Sequence, residues 1–167
     1  LKNFQKNSIQ GDSILMNYYK ILGVKTKFID NTIILTKYKD FVHPKNLSLN
    51  LIDCPDLAQT IAVTCFGLGI YCFLDGLQTL NIKETKRLIA LKNELTKLGA
   101  KIDITESSLK LFESKKIKKN IKINTYHDHR MAMSFAPLSL KTQIFIKNPN
   151  VVVKSYPKFW DDLKSAG

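Results

Sequence analysis

Leu22-Gly23-Val24-Lys25 returns as Leu98-Gly99-Ala100-Lys101, 76 residues later, and Asp56-Leu57-Ala58 is answered by Arg130-Met131-Ala132 after 74. Each Leu-Gly pair ends an apolar pattern at helical spacing, Ile14/Leu15, Tyr18/Tyr19, Leu22 in the first case and Leu88, Leu91, Leu95, Leu98 in the second. Glycine stands there as a C-terminal cap, because it accepts the left-handed backbone that closes a helix. The segments after the two caps are also alike. Lys25 to Asp30 and Thr32 to Thr36 read as a hairpin turning at Asp30-Asn31, and Lys101 to Thr105 and Ser108 to Phe112 read as its counterpart. A strand then leads into an almost wholly apolar helix and a second strand. These are Leu47 to Ile52, Leu57 to Leu68 and Ile70 to Leu74 in one copy, and Ile121 to Thr125, Asp128 to Leu140 and Ile144 to Ile146 in the other. Pro137 is expected to end or kink the second of these helices. A third copy opens at Ser155-Tyr156-Pro157, where a last helix carries Phe159, Trp160 and Leu163.

Repetition at about 75 residues predicts an α+β fold assembled from α/β repeats, with helices packed against four-stranded sheets in pseudo-symmetric fashion. The 167 residues suit a single domain over 1–167. Helices that begin at matching places point the same way. Their positively polarised N-termini are therefore expected to form one rim, bearing Asp56, Glu84, Arg87, Arg130 and Lys154.

The composition, 44% hydrophobic and 24% charged, is that of an ordinary globular chain. Its net charge of +12 comes from scattered lysines, and the one dense run, Lys115-Lys116-Ile117-Lys118-Lys119, reads as an exposed loop. Nucleic-acid binding would bring arginines and aromatics together on one face, and that pattern is absent, so no nucleic acid partner is expected. Cys54, Cys65 and Cys72 lie at no metal-ligand spacing and read as reduced thiols of a cytosolic protein. Leu57 to Leu74 carries no charge, but its glycines and polar residues, and the strand pattern of its second half, argue against a membrane span. Leu1 is not an initiator Met and no signal-peptide pattern comes after it, which reads as a chain beginning inside a longer one.

Of the 26 basic residues, 24 are lysines and only Arg87 and Arg130 are arginines. A guanidinium offers a planar fork that matches a carboxylate or phosphate with two parallel hydrogen bonds, whereas an ammonium is a point charge. Both arginines stand at the start of an apolar helix pattern, in Lys83-Glu84-Thr85-Lys86-Arg87 and in His127-Asp128-His129-Arg130-Met131-Ala132-Met133. Two helix starts are therefore expected to converge on one small anionic ligand, with carboxylates beside it to move protons. Each residue alone has a plainer reading. Asp56 after Pro55 suits a helix cap, Glu84 complements a helix dipole, and Lys154 suits an exposed strand end. The His-Asp-His alternation invites a metal, but no third ligand is near in sequence and Arg130 adjoins it, so no metal is expected.

Taken together, Lys83-Glu84-Thr85-Lys86-Arg87-Leu88, Asp128-His129-Arg130-Met131-Ala132-Met133 and Lys154-Ser155-Tyr156-Pro157 resemble the motifs of 5-enolpyruvylshikimate-3-phosphate (EPSP) synthase. Cys54-Pro55-Asp56 and Asn7-Ser8-Ile9-Gln10-Gly11-Asp12 are similar to further landmarks of that family, in the same order. The resemblance covers nearly the whole chain but only the C-terminal part of the family's length. It implies an incomplete C-terminal domain of a two-domain enolpyruvyl transferase, which moves the enolpyruvyl group of phosphoenolpyruvate to the 5-hydroxyl of shikimate 3-phosphate with no metal or organic cofactor. By motif position Asp56 is the base at the hydroxyl, and Glu84 is the proton donor and later acceptor at the methylene. Arg87 and Arg130 hold the phosphoenolpyruvate carboxylate, Lys154 its phosphate side, and Lys83 contacts the shikimate ligand. An N-terminal domain, in cis or as a separate chain, supplies the remaining contacts, and without it little turnover is expected.

Family members usually carry Asp where this chain has Lys86 and Asn where it has His127. The related enzyme acting on UDP-N-acetylglucosamine shares the architecture but lacks the Lys-Glu-Thr and Asp-His-Arg-Met-Ala signatures. A non-catalytic module that binds anionic metabolites on the same rim is the other alternative.

Overall fold

A computed structural model of the chain describes residues 11–82 and 85–166. The chain divides into two compact units, up to Lys45 and from Asn46 onward. In the first, a 3-10 turn at Gly11–Ile14 runs into helix α1, Leu15–Ile21. Gly23, at φ +91°, closes it as the repeated Leu-Gly pair predicts, and a Cβ there would lie 2.5 Å from the Phe41 ring. Strands β1, Val24–Ile29, and β2, Thr32–Lys37, form the expected antiparallel hairpin, with Ile29 opposite Thr32. Asp30 turns it at φ +49°, a conformation its short polar side chain tolerates.

The second unit holds the rest of the repeat. Strand β3, Asn46–Asn50, leads through a 3-10 turn at Pro55–Leu57 into α2, Ala58–Leu68, and back through β4, Tyr71–Asp75, parallel to β3. Gly69, at φ +72°, ends α2 and lets Ile70 N–H bond back to the Cys65 carbonyl at 2.9 Å. The apolar run suspected of crossing a membrane is thereby divided between a helix and a strand. No helix among the described residues is long and apolar enough to span a bilayer.

The second copy keeps the same order: α3, Arg87–Lys97; hairpin β5, Ile102–Ile104, and β6, Leu109–Leu111; then β7, Ile121–Ile123; α4, His129–Phe135; and β8, Ile144–Ile146, parallel to β7. Pro137 acts as expected, and from Ala136 to Leu140 the helix tightens to 3-10 geometry. Helix α5, Phe159–Ala166, begins two residues after Pro157.

The sheets are distributed differently from the prediction of four strands per copy. The four-stranded sheet runs β3-β4-β6-β5 and takes two strands from each copy, while β1–β2 and β7–β8 stand as two-stranded sheets. Strand β4, whose Cys72 and Leu74 are fully buried, needs a second neighbour, and the hairpin after α3 supplies it antiparallel. Within the second unit α2 packs against α4. Ile61, Cys65 and Phe66 of α2 and Met131 and Phe135 of α4 are wholly or almost wholly removed from solvent. Burial of each large apolar side chain stabilises the unit by about 1.5–3 kcal/mol. The three cysteines are buried and unbridged. The lysine loop, Lys115 to Lys119, lies outside regular structure with all four lysines exposed.

Candidate active site

Three chain segments bring charge to one end of the α2 and α4 helices. The first is the 3-10 turn at Pro55–Leu57. Pro55 pre-sets the backbone there, and Cys54 stands in the capping position one residue before it, which leaves Asp56 inside the turn. Asp56 is thus not the cap its sequence position suggested, and its side chain faces the two arginines instead.

Arg87, the first residue of α3, is 2% exposed. Its Nε donates to Asp128 Oδ2 at 2.6 Å and its Nη1 to Asp56 Oδ1 at 2.7 Å. Arg130, the second residue of α4, reaches the same aspartate from the other side. Its Nη2 lies 3.2 Å from Asp56 Oδ2, and its Nη1 donates to the Asp56 carbonyl at 3.4 Å. Asp56 therefore sits between two guanidinium groups that come from helices far apart in sequence. Its side chain keeps 26% exposure and that of Arg130 keeps 30%, so the junction opens to solvent on their side.

Asp128 belongs to a motif singled out in the sequence, yet no role was expected of it. Its Oδ1 caps α4 by accepting from Arg130 N–H at 2.8 Å, while its Oδ2 holds Arg87. One buried carboxylate thus fixes the start of α4 and the plane of the Arg87 guanidinium together. A buried pair of this kind adds little net stability over apolar packing but is very costly to break. An available signal was its place directly before a helix pattern, the usual position of a capping aspartate.

His129 presents no charge to the site. Burial holds its pKa below the ordinary value, and the positive charges of Arg130, Lys154 and Arg87 act the same way against the opposing influence of Asp128. Its Nδ1 is buried with no hydrogen-bond partner. Lys154, exposed in the turn after the 3-10 segment Pro149–Val152 that packs on α4, is thus close enough to act on the imidazole electrostatically. Lys83 and Glu84 lie outside the described residues, as does Asn7-Ser8-Ile9-Gln10. Among the described residues α3 begins at Arg87, where the sequence places the start of its apolar pattern. Among the described residues no three His, Cys, Asp or Glu side chains gather as metal ligands.

Two planar donors converge on one carboxylate, an arrangement whose chemistry suits the grip of a small anion.

The sequence model of EPSP synthase (3-phosphoshikimate 1-carboxyvinyltransferase) matches residues 1–163. A Bacteroides fragilis protein named 3-phosphoshikimate 1-carboxyvinyltransferase is 42% identical over 165 residues, 97% of this chain and 40% of that protein. A Methanocaldococcus jannaschii protein of the same name is 35% identical over 170 residues, 100% of this chain and 38% of that one. The solved structure of EPSP synthase from Acinetobacter baumannii is similar in fold, with a TM-score of 0.67 at 22% identity, over 92% of this chain and 38% of that one. The chain spans about 40% of the length of the relatives it matches.

Proposed function

Because the chain belongs to the EPSP synthase family, we propose that it forms the C-terminal catalytic part of a 3-phosphoshikimate 1-carboxyvinyltransferase. The observation that carries this is the shared carboxylate. Arg87 and Arg130, the only arginines of the chain, meet on the single side chain of Asp56. In the proposed complex the carboxylate of phosphoenolpyruvate takes the place of Asp56 between the two guanidinium groups, and Lys154 faces the phosphate. Asp56, released from the arginines, then accepts the proton of the 5-hydroxyl of shikimate 3-phosphate as that oxygen bonds to C2 of phosphoenolpyruvate. The methylene carbon takes a proton to become methyl, a role assigned to Glu84 by motif position, and Lys83 contacts the shikimate ligand. In the elimination the methyl group returns a proton to Glu84, the C2–O bond to phosphate breaks, and the proton held on Asp56 passes to the leaving phosphate, which restores both carboxylates.

Charge-assisted bonds of this kind both bind the substrate and fix its orientation, so the arginines serve positioning as well as affinity. The remaining contacts to both substrates come, in this proposal, from an N-terminal domain, in cis or as a separate chain. Closure of the two parts would exclude water from the reacting atoms.

A chimera tests the proposal. Residues 1–167 are joined behind the part of the Bacteroides fragilis relative that they do not match, and phosphate release is measured. The expected result is release from phosphoenolpyruvate only when shikimate 3-phosphate is present, abolished by Arg87→Ala. A folded chimera that binds phosphoenolpyruvate without turnover refutes the catalytic reading in favour of a binding module.

A further inference from the structure

Helix α3 carries a second buried charged residue that the proposed reaction does not use. Glu94 lies seven residues after Arg87, two helical turns along the same face, and is completely buried, as Leu91, Leu95 and Leu98 of the same pattern are. Both of its oxygens are engaged. Oε1 accepts from the Tyr126 hydroxyl at 2.7 Å, Oε2 accepts from the Asn124 backbone N–H at 3.0 Å, and Lys97 Nζ lies 2.7 Å from each. All three donors thus converge on one carboxylate inside the protein, and two of them belong to the segment just before Asp128.

That segment needs holding. Tyr126 and His127 both have left-handed backbones, at φ +53° and +58°, and neither is a glycine. Two such residues in succession are unfavourable unless the surroundings over-determine them, and strain of this kind gathers at functional sites. The Asp128 N–H closes the turn on the Thr125 carbonyl at 2.8 Å. Asp128 itself leaves the turn in extended conformation, at φ −109°, with its carboxylate divided between Arg87 and the start of α4. The turn is therefore fastened to α3 at both sides: Glu94 grips it at Asn124 and Tyr126, and Arg87 grips it at Asp128. Burial, and after it the bond to Glu94, raise the Tyr126 phenol above its ordinary pKa, so the hydroxyl remains a donor throughout the neutral range.

We propose that Glu94 is a positioning residue of the two-arginine site: it holds the left-handed Thr125–Asp128 turn in place, and through Asp128 it sets where Arg87 and Arg130 meet. The inference rests on reading that cluster as the carboxylate site of the proposed reaction. A carboxylate suits this place because two of the three groups facing it, the Asn124 N–H and the Lys97 ammonium, can only donate. An amide of the same size gives up the charge that pairs with Lys97, and its NH2 finds an acceptor only by reversing the bond to the Tyr126 hydroxyl.

The arginine count makes this measurable. A 15N-labelled sample of the chain contains only two arginine Nε–H groups, Arg87 and Arg130. In the unaltered protein the Arg87 signal is expected downfield and slow to exchange, because that N–H is buried against Asp128. Glu94→Gln is expected to leave the circular dichroism spectrum folded while shifting the Arg87 signal and speeding its exchange. Phosphoenolpyruvate affinity, measured calorimetrically, should fall about tenfold, the scale of one loosened charge-assisted contact. Tyr126→Phe, which removes a single hydroxyl, should move the same signal in the same direction by less.

A folded Glu94→Gln protein with both arginine signals and the affinity unchanged overturns the proposal. If Glu94→Gln fails to fold, Tyr126→Phe decides by the same readouts, and unchanged signals there overturn it equally. The two readings fail separately. An Arg87 signal that depends on Glu94 in a protein that never binds phosphoenolpyruvate sinks the substrate assignment and keeps the positioning role. Equal binding by the unaltered protein and Glu94→Gln, with equal signals, does the reverse.

Discussion

Asp56→Asn should strengthen ligand binding while it destroys catalysis. In the structure the Asp56 carboxylate occupies both guanidinium groups, at 2.7 Å from Arg87 and 3.2 Å from Arg130. The carboxylate of phosphoenolpyruvate must therefore break these contacts before it can replace them. One hydrogen bond between charged groups is worth about 1.5–3 kcal/mol net, and the partly open side of Asp56 places this pair toward the lower end. Asparagine keeps the shape but gives up the charge. Arg87 stays ordered in the variant because Asp128 still holds its Nε. Affinity of the chain for phosphoenolpyruvate should then rise roughly tenfold, with a ceiling near a hundredfold. In the chimera the same substitution removes the proposed base, and turnover should drop by about 10²–10⁴. Calorimetric titration of the chain and phosphate release by the chimera read the two effects independently. Weaker phosphoenolpyruvate binding by Asp56→Asn would refute the reasoning, since it would mean that Asp56 organises the arginines for the ligand and does not compete with it.

Other substitutions bear on the same framework. Asp128→Asn takes one of two counter-charges from the buried Arg87, which keeps Asp56, and urea unfolding should show a loss of about 1.5–3 kcal/mol. Lys86 holds the capping position of α3 with no side-chain cap bond, so Lys86→Asp, the residue usual in the family, should add about 1 kcal/mol in the same assay. Gly76→Ala forces a side chain onto φ +77° and within 2.5 Å of the Ile52 nitrogen, and should lower the melting temperature markedly through strain and overlap together. Finally, the His129 pKa lies below 6.5 in the folded chain, chiefly through burial, so the unfolded chain takes up that proton more readily. Stability from this residue is complete above about pH 6.5 and is lost as the pH falls through that value toward the folded pKa. His129→Asn should flatten the pH dependence of unfolding across that window.

The repeat was legible because its punctuation is local. A glycine needed at positive φ after a leucine stripe marks a helix end wherever it occurs, and Gly23 and Gly99 adopt φ +91° and +101°. The pairing of strands was not legible in the same way. The partnership of β4 with β6 joins the two copies, and alternation along either strand tells which face is buried but not which neighbour lies at its edge. Helix starts were displaced for a related reason. The turn at Pro55–Leu57 has 3-10 geometry, and that keeps Asp56 out of the capping position its sequence suggested.

The site divides along the same line, between what residue type dictates and what depends on partners. Glu94 could have been suspected from its register among Leu91, Leu95 and Leu98, since a glutamate on an apolar stripe must find donors. Those donors come from Asn124, Tyr126 and Lys97, and the first two are about thirty residues away, beyond the reach of any periodicity. The arginines were legible because they are scarce, and the geometry supplies the reason for their scarcity. Arg87 binds Asp128 through Nε and Asp56 through Nη1, two directions of one rigid plane. An ammonium on a flexible stem can approach either carboxylate but cannot be held by one while presented to the other. In a chain that uses lysine for nearly every other positive charge, arginine remains at the two positions where direction matters as well as sign.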